Sequence, residues 1–390
     1  MTPAARVQAA IEVLDLVIEA ARSNGAPADR LIADWFRPRR FAGSGDRRAV
    51  RELAYRAIRA CGEVPQSGRA AMLRVAAEDD QLAALFDGSR HAPAPIAADE
   101  AMAASGVAPQ WLMDRLAASG VSETEAAALL DRAPLDIRVN TLRAGRLTLP
   151  EGAERTVAAN GWRYPPEARI EQTPAYASGA IEVQDTGSQL TCEALSARPA
   201  ELVIDLCAGA GGKTLALAAA MENRGTLVAC DVDRTRLSRL APRAERAGAT
   251  MVETVLLDPN REIQALERFA GKADAVLVDA PCSGTGTWRR NPEARWRLTE
   301  KQLARYVETQ ARLLDMAAGL VRPGGRLVFV TCSLLDDEGA TQAQGFLQRH
   351  PGWQALLPAL PAGTARRQGI RLSPFHDGTD GFFVARFGCV

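Results

Sequence analysis

The sequence predicts a multidomain chain: an α/β domain built on a parallel sheet with helices on both faces, preceded by a small α+β module and an N-terminal all-α domain. Three observations predict it. Residues 4–87 carry helical periodicity and nothing else. An Ala- and Pro-rich segment, HAPAPIAADE at 91–100, breaks that pattern as a linker does. From residue 183 onward, short apolar and β-branched runs alternate with helical stretches.

In the first region Val7, Ala10, Ile11, Leu14, Val17 and Ile18 fall on one helical face, and amphipathic stretches follow at 46–62 and 66–87. These outline a helical domain over 1–90 and a linker over 91–108. Arg37, Arg39, Arg40, Arg47, Arg48 and Arg51 cluster between and at the start of these helices. A solvated surface and a nucleic-acid-facing patch account for them equally well. Two short helices are expected after the start signals Pro109 and Ser122, and LDIRVN at 135–140 alternates like a strand. The stretch 109–180 therefore reads as a small α+β module.

The last domain, 181–390, has strand-like runs at 202–205, 226–231, 251–257, 274–279 and 326–331, with helices expected at 212–223, 234–248, 261–269 and 300–321. The strands are apolar on both faces, which places them in a parallel sheet covered on both sides. A final run, FFVARF at 382–387, closes the sheet.

Forty-seven basic residues balance forty-seven acidic ones, so total charge gives no sign of a nucleic-acid partner, although a local basic face can hide in a neutral total. The lysines are Lys213, Lys272 and Lys301 alone, which makes Lys213, set in a glycine-rich turn, stand out from surface filler. The N-terminal pattern is broken by Glu12, Asp15 and Glu19, so it is no secretory signal, and no apolar run is long enough to span a bilayer. Seven cysteines contain no C-x-x-C pair and only three histidines are present. No metal site is expected, and a cytoplasmic monomer with reduced thiols is the simplest expectation.

In open α/β sheets ligands bind at the carboxyl ends of the strands. After the first strand comes Asp205-Leu-Cys-Ala-Gly-Ala-Gly-Gly-Lys-Thr214. A phosphate loop would need Gly where Cys207 stands, and a dinucleotide turn would need Gly where Thr214 stands; both patterns fail. A turn shaped for the amino-acid and ribose parts of S-adenosylmethionine needs neither spacing, and a helix-capping turn is the bland alternative. Asp231 ends the second strand, where a carboxylate can accept from both ribose hydroxyls, and Asp258 follows the third, within reach of an adenine amino group. Asp279 ends the fourth. Each alone reads as a cap; one acid after each of three strands is harder to explain that way.

The fourth strand runs into Asp279-Ala-Pro-Cys282-Ser-Gly-Thr-Gly286 and the fifth into Thr331-Cys332-Ser333. Both cysteines sit in polar turns, unlike Cys61, Cys192, Cys230 and Cys389, which read as small buried residues. Two thiols facing a methyl donor suit alkylation at C5 of cytosine, a poor nucleophile. Addition of a thiolate to C6 makes C5 enamine-like. A carboxyl group bonded to N3 offsets the developing charge, and a second thiolate removes the C5 proton.

These residues resemble the RsmB/Sun family of RNA cytosine-C5 methyltransferases. The motifs are Asp205 to Thr214, Asp279 to Gly286, Arg290-Asn-Pro and Thr331-Cys-Ser, in that order, with Arg138-Val-Asn-Thr-Leu and Gln184-Asp-Thr-Gly-Ser upstream and Asp380-Gly-Phe-Phe at the end. The resemblance covers roughly 110–390. It implies a Rossmann-like, S-adenosylmethionine-dependent methyltransferase domain with Cys332 as nucleophile, Cys282 assisting product release and Asp279 catalytic. Its cofactor positions fall on Cys207, Ala208, Gly209, Ala210, Gly211, Gly212, Lys213, Asp231, Asp258 and Asp279; the family usually has Pro where Ala210 stands. The preceding α+β module is implied to bind RNA. Arg6-Val-Gln-Ala-Ala and Asp46-Arg-Arg-Ala-Val-Arg-Glu-Leu-Ala-Tyr are similar to the NusB-like RNA-binding domain of bacterial members. The implied substrate is a cytosine of small-subunit (16S) ribosomal RNA.

Directly after the Pro-Cys turn, Trp288-Arg-Arg-Asn-Pro-Glu-Ala-Arg-Trp-Arg297 interleaves aromatics with arginines, and Arg289, Arg290, Arg295 and Arg297 are expected to contact RNA. A loop packed on the sheet through Trp296 is the competing expectation. Arg366, Arg367 and Arg371 form a second possible contact, with solvated surface as the default. Two other functions remain open: a DNA cytosine-C5 methyltransferase, which would attack with the Pro-Cys cysteine, and a non-catalytic RNA-binding ribosome assembly factor.

Overall fold

A computed structural model describes residues 1–390 apart from 24, 144, 146 and 260. They divide into two units: Met1–Asp131 with Thr287–Thr299, and Arg132–Gly286 with Glu300–Val390.

The first unit is helical. Helix Pro3–Ser23 buries Val7, Ala10, Ile11, Leu14, Val17 and Ile18, the face its sequence marks as apolar. Helices Ala28–Phe36, Ser44–Ala60 and Gly68–Ala76 contribute to the same core. The segment expected as a linker is tied down: the Arg69 guanidinium pairs with Glu100 and donates to the carbonyls of Ala94 (3.1 Å) and Pro95 (3.2 Å). Helices Gln110–Ala118 and Glu123–Ala128 start where Pro109 and Ser122 predict, but they belong to this helical unit and not to the α+β module.

Residues 287–299 complete the first unit. Trp288 and Arg295 are fully buried, Trp296 and Arg289 nearly so. Arg295 Nη2 donates to the carbonyls of Ile58 (2.6 Å) and Cys61 (2.8 Å) at the end of helix Ser44–Ala60. Burial lowers the Arg295 pKa to about 9. Trp296 Nε1 donates to Cys61 and Gly62, and Glu293 Oε1 accepts from the Ala28 amide at 3.0 Å. Arg297 donates to the carbonyls of Gly25 and Ala26, both at 2.6 Å. This corrects the expectation for Arg289 and Arg295, whose burial leaves no face for a phosphate. Trp296 joins the core of the helical unit.

The second unit holds two sheets. Strands β1 (Leu135–Val139), β2 (Glu154–Arg155), β3 (Gly161–Tyr164) and β4 (Ile181–Val183) form an antiparallel sheet in the order β2-β3-β1-β4. Its last strand lies beyond residue 180, the expected end of the module. Asp136 of β1 is buried and accepts from Arg163 Nε (2.7 Å), Thr186 N (3.0 Å) and Thr186 Oγ1 (2.6 Å). Burial alone would raise its pKa; the Arg163 and Thr186 bonds outweigh that and lower it. Asn140 donates to the carbonyls of Gly179 and Ala247, both at 2.8 Å, so this motif residue joins the small sheet to the larger domain.

The main sheet comprises β5 (Leu202–Asp205), β6 (Thr226–Asp231), β7 (Val252–Leu256), β8 (Ala273–Asp279), β9 (Val321–Thr331), β10 (Trp353–Ala355), β11 (Thr364–Arg366), β12 (Gly369–Leu372) and β13 (Phe382–Cys389). Its order is β11-β12-β13-β9-β8-β5-β6-β7, with β10 also on β13. The five strands β5 to β9 are parallel to one another; β13 runs antiparallel beside β9. The sheet is therefore mixed, with three short strands the apolar-run search does not find. Successive residues feed opposite cores. Val203, Ala229, Leu277 and Val328 pack on one face, and Ile204, Val228, Val276 and Phe329 on the other. Strand order reverses between β5 and β8, so a crevice is expected at their carboxyl ends.

Candidate active site

The turn after β5 lies at that reversal. Asp205 is buried; its Oδ2 accepts from Thr214 Oγ1 at 2.7 Å while Oδ1 has no partner among the described residues. Burial, and then the nearby Asp279 charge, push its carboxyl up to about 7 against the opposing Thr214 bond. Gly211 has φ 87° and Leu240 fills the space a Cβ would need. Around the Cβ position of Gly212, by contrast, nothing lies within 4 Å. Helix Gly212–Ala220 begins here, and its first amides have no intrahelical acceptor.

The neighbouring strand holds this turn. Asp231 Oδ2 accepts from the Gly209 amide and Oδ1 from the Asp233 amide, both at 2.7 Å. Arg243 Nη1 donates to the Ala210 carbonyl at 2.8 Å, and its Nη2 to Glu182 of β4 at 3.0 Å. Asp258 lies exposed two residues past β7; Asn260, in the stretch after it, lies outside the described residues. Cys207 sits in the turn with a thiol pushed well up by burial and by Asp279, Asp205 and Asp231.

Across the crevice, Lys213 Nζ donates to Asp279 Oδ2 at 2.6 Å and lies 5.6 Å from the Phe382 ring centroid. Burial would lower the Lys213 pKa, but the Asp279 charge prevails and raises it. The lysine is therefore a fixed cation.

The two predicted cysteines meet. Cys282 Sγ and Cys332 Sγ are 3.4 Å apart, and both side chains remain partly exposed. Their turns lock together: the Gly286 amide donates to the Cys332 carbonyl at 3.0 Å, and the Gly381 amide to the Gly286 carbonyl at 2.8 Å. A side chain at Gly286 would run into the Gly381 backbone, which explains glycine in both motifs. The Cys282 thiol is raised well above its ordinary value, first by its bond to Cys332, then by burial and by the Cys332 and Glu338 charges.

Sequence reasoning missed the polar scaffold beneath the sulfurs. Ser283 Oγ lies 3.2 Å from Ser333 Oγ, which lies 3.1 Å from Thr285 Oγ1. Buried Glu338 bonds to Ser283 and Gln310. Ordinary Ser, Thr and Glu residues in short turns carry no spacing signal for this. The terminal motif Asp380-Gly-Phe-Phe also joins the site: the Asp380 amide donates to Asp185, which caps helix Thr186–Leu195. The remaining cysteines behave as sequence suggests, with Cys61, Cys192 and Cys230 buried and Cys389 half-buried. Arg366 and Arg371, considered as RNA contacts, both pair with Asp336. Among the described residues no group of His, Cys, Asp and Glu is arranged to hold a metal ion, and no helix is long and apolar enough to cross a membrane.

The model of the 16S rRNA methyltransferase RsmB/F family matches residues 192–388, the stretch that holds both cysteine turns and the glycine-rich turn. The chain belongs to the RsmB/F family. It is an S-adenosylmethionine-dependent methyltransferase family, and the mixed sheet is its Rossmann-like methyltransferase fold. A relative from Synechocystis, a probable ribosomal RNA small subunit methyltransferase B, is 32% identical over 71% of this chain and 66% of its own length. The match thus spans just under two thirds of that RsmB/F relative. The crystal structure of PH0851 is 25% identical with a TM-score of 0.75, covering 99% of each chain. That of a methyltransferase homologue from Pyrococcus horikoshii is 27% identical with a TM-score of 0.60, covering 72% of this chain and 100% of the other.

Proposed function

We propose that this chain methylates C5 of a cytosine in small-subunit ribosomal RNA, with Cys332 as nucleophile and Cys282 assisting release. The observation that carries the reading is the pair of sulfurs 3.4 Å apart at the carboxyl ends of β8 and β9, on the crevice that holds the Lys213–Asp279 pair. The family and the relative's name support an RNA substrate.

The turn fits an adenosyl donor. The open space at Gly212, the amides that start helix Gly212–Ala220, the Asp205 Oδ1 that lacks a partner among the described residues and the carboxylate of Asp231 offer matching polar groups to an amino acid and a ribose. Cys207 to Lys213 would hold the amino-acid part, Asp231 the ribose and Asp258 the adenine. When bound, S-adenosylmethionine supplies an electrophilic methyl group on a sulfonium.

The chain's own residues prepare the acceptor. Cys332 thiolate adds to C6 of cytosine, forming the S–C6 bond and moving electron density to C5 and N3. Asp279 is assigned to the base edge, where its carboxylate would accept from the 4-amino group, and Lys213, which holds that carboxylate, offsets the negative charge that addition places on the ring. Once Cys332 is a neutral thioether, the bond and charge that held the Cys282 proton are gone. Cys282 releases that proton to solvent and, as thiolate, takes the C5 proton; the C5–C6 double bond re-forms and Cys332 leaves as thiolate. Arg290 and Arg297, the small sheet and a NusB-like helical unit are proposed to contact RNA.

Two variants test this. Cys332→Ala is expected to abolish methyl transfer, and Cys282→Ala to accumulate a covalent protein–RNA adduct that survives denaturing electrophoresis. An adduct with Cys332→Ala and none with Cys282→Ala would exchange the two roles and sink the assignment. RNA binding without methyl transfer in the unaltered protein favours the assembly-factor alternative.

A further inference from the structure

Glu338 ends the short turn Asp336–Glu338, six residues beyond Cys332, and is fully buried. Its Oε1 accepts from the Ser283 amide at 2.8 Å and from Gln310 Nε2 at 3.1 Å, and its Oε2 accepts from Ser283 Oγ. Gln310, on helix Glu300–Leu320, also donates to the Pro281 carbonyl at 2.9 Å. The residues on either side of Cys282 are thus both clamped. The Glu338 carbonyl accepts from Thr331 Oγ1 at 3.3 Å, which anchors the clamp to the neighbour of Cys332. Burying an ionisable carboxyl is costly unless it is well hydrogen-bonded, and an apolar side chain would fill the space without that cost. Neither the family motifs nor the steps above assign Glu338 a part.

We propose that Glu338 is a positioning residue for Cys282: it clamps the Pro281–Ser283 turn against the Cys332 turn, so that the two sulfurs stay within hydrogen-bonding distance, and it sets its carboxyl group behind the thiol. The catalytic consequence rests on the two-cysteine reading above; the effect on the Cys282 thiol does not. Groups acting on that thiol are Cys332 and Glu338 from the fifth-strand turn and Tyr306 from helix Glu300–Leu320, while Lys213, paired with Asp279, acts on the neighbouring Cys332. Of these, Glu338 is the buried acid: burial raises its pKa against the bonds from Ser283, Ser333 and Gln310, and in its ionised form it opposes ionisation of Cys282 in the absence of RNA. Burial, and then the two sulfurs and Glu338, raise the Tyr306 pKa, so Tyr306 stays neutral.

Glu338→Gln keeps the shape and an acceptor for the Ser283 amide but removes the charge, whereas Glu338→Ala removes both. The test is the rate at which iodoacetamide labels the Cys282 peptide in the whole chain, read by mass spectrometry across pH, with no RNA or methyl donor present. The expected result is a profile displaced to lower pH in Glu338→Gln, with roughly tenfold faster labelling at neutral pH for a displacement of about one unit. Methyl transfer to RNA is the second readout. There Glu338→Ala should lose on the order of a hundredfold in kcat with little change in KM, and Glu338→Gln should recover much of it. A Glu338→Gln labelling profile that coincides with the unaltered protein overturns the proposal. So does equal loss of kcat in both variants accompanied by equal loss of thermal stability. If the labelling shift appears but no variant of the protein methylates RNA, the proposed reaction fails and the role of Glu338 in setting Cys282 stands.

Discussion

Two thiols 3.4 Å apart cannot both ionise cheaply, so the first proton lost leaves a thiolate that the second thiol can solvate. That coupling divides the labour between Cys332 and Cys282 without any histidine, and it makes the order of proton movements depend on whether Cys332 is free or bonded to the base. Asp205 shows another consequence of burial. Its folded carboxyl is raised to about 7, so the folded state binds a proton that the unfolded chain has already lost. Its contribution to stability is fully present below the unfolded value near 3.8 and is lost as pH rises through 7. Asp205→Asn keeps an acceptor for Thr214 and removes the titration. Urea unfolding should therefore show the variant gaining on the unaltered protein from pH 4 to 7 by an amount on the order of 2–4 kcal/mol, then levelling off. A difference that stays flat over this range would show that Asp205 does not hold a proton in the folded protein.

Strands β5 to β9 divide their residues by position. Alternate side chains fill the two cores, and the residue at the carboxyl end faces the crevice. The small antiparallel sheet is joined to this frame by Asp136, Asn140 and Glu182, all buried and all multiply bonded. Removing the Asp136 carboxylate takes the acceptor from the Thr186 amide and hydroxyl, while Arg163 keeps the Gly378 carbonyl. Asp136→Ala is expected to destabilise the second unit by about 2 kcal/mol, measured by chemical unfolding, because the Thr186 amide and hydroxyl lose their buried acceptor. The Asp136 carboxyl is lowered in the folded state, opposite to Asp205, so its stabilisation holds above the unfolded value of 3.8 and fades as pH falls below it. A loss within about 0.5 kcal/mol would mean that the two sheets are held by packing alone.

At the scale of the molecule, the chain leaves the second unit at Gly286, contributes residues 287–299 to the helical unit and returns at Glu300. A chain shortened to 132–390 would strip Trp296 of the helical core it joins and Arg295 of the carbonyls it serves. Tryptophan emission should shift to the red, and proteolysis should cut within 289–297; unchanged emission and resistance would show that the segment folds without residues 1–131. The sequence by itself determined the strand and helix alternation, the acids at strand ends and the two cysteine turns, because period and end position are local properties of a chain. It also marked Cys282 and Cys332 apart from Cys61, Cys192, Cys230 and Cys389, since polar turn neighbours are visible in one dimension. The fold alone reveals that Trp296 joins a helical core, that Arg295 serves two carbonyls more than 230 residues away, and that Glu338 underlies Cys282. Those depend on which buried donors and acceptors lack partners once distant segments meet, and a hydrogen bond between residues so far apart leaves no spacing in the chain to read.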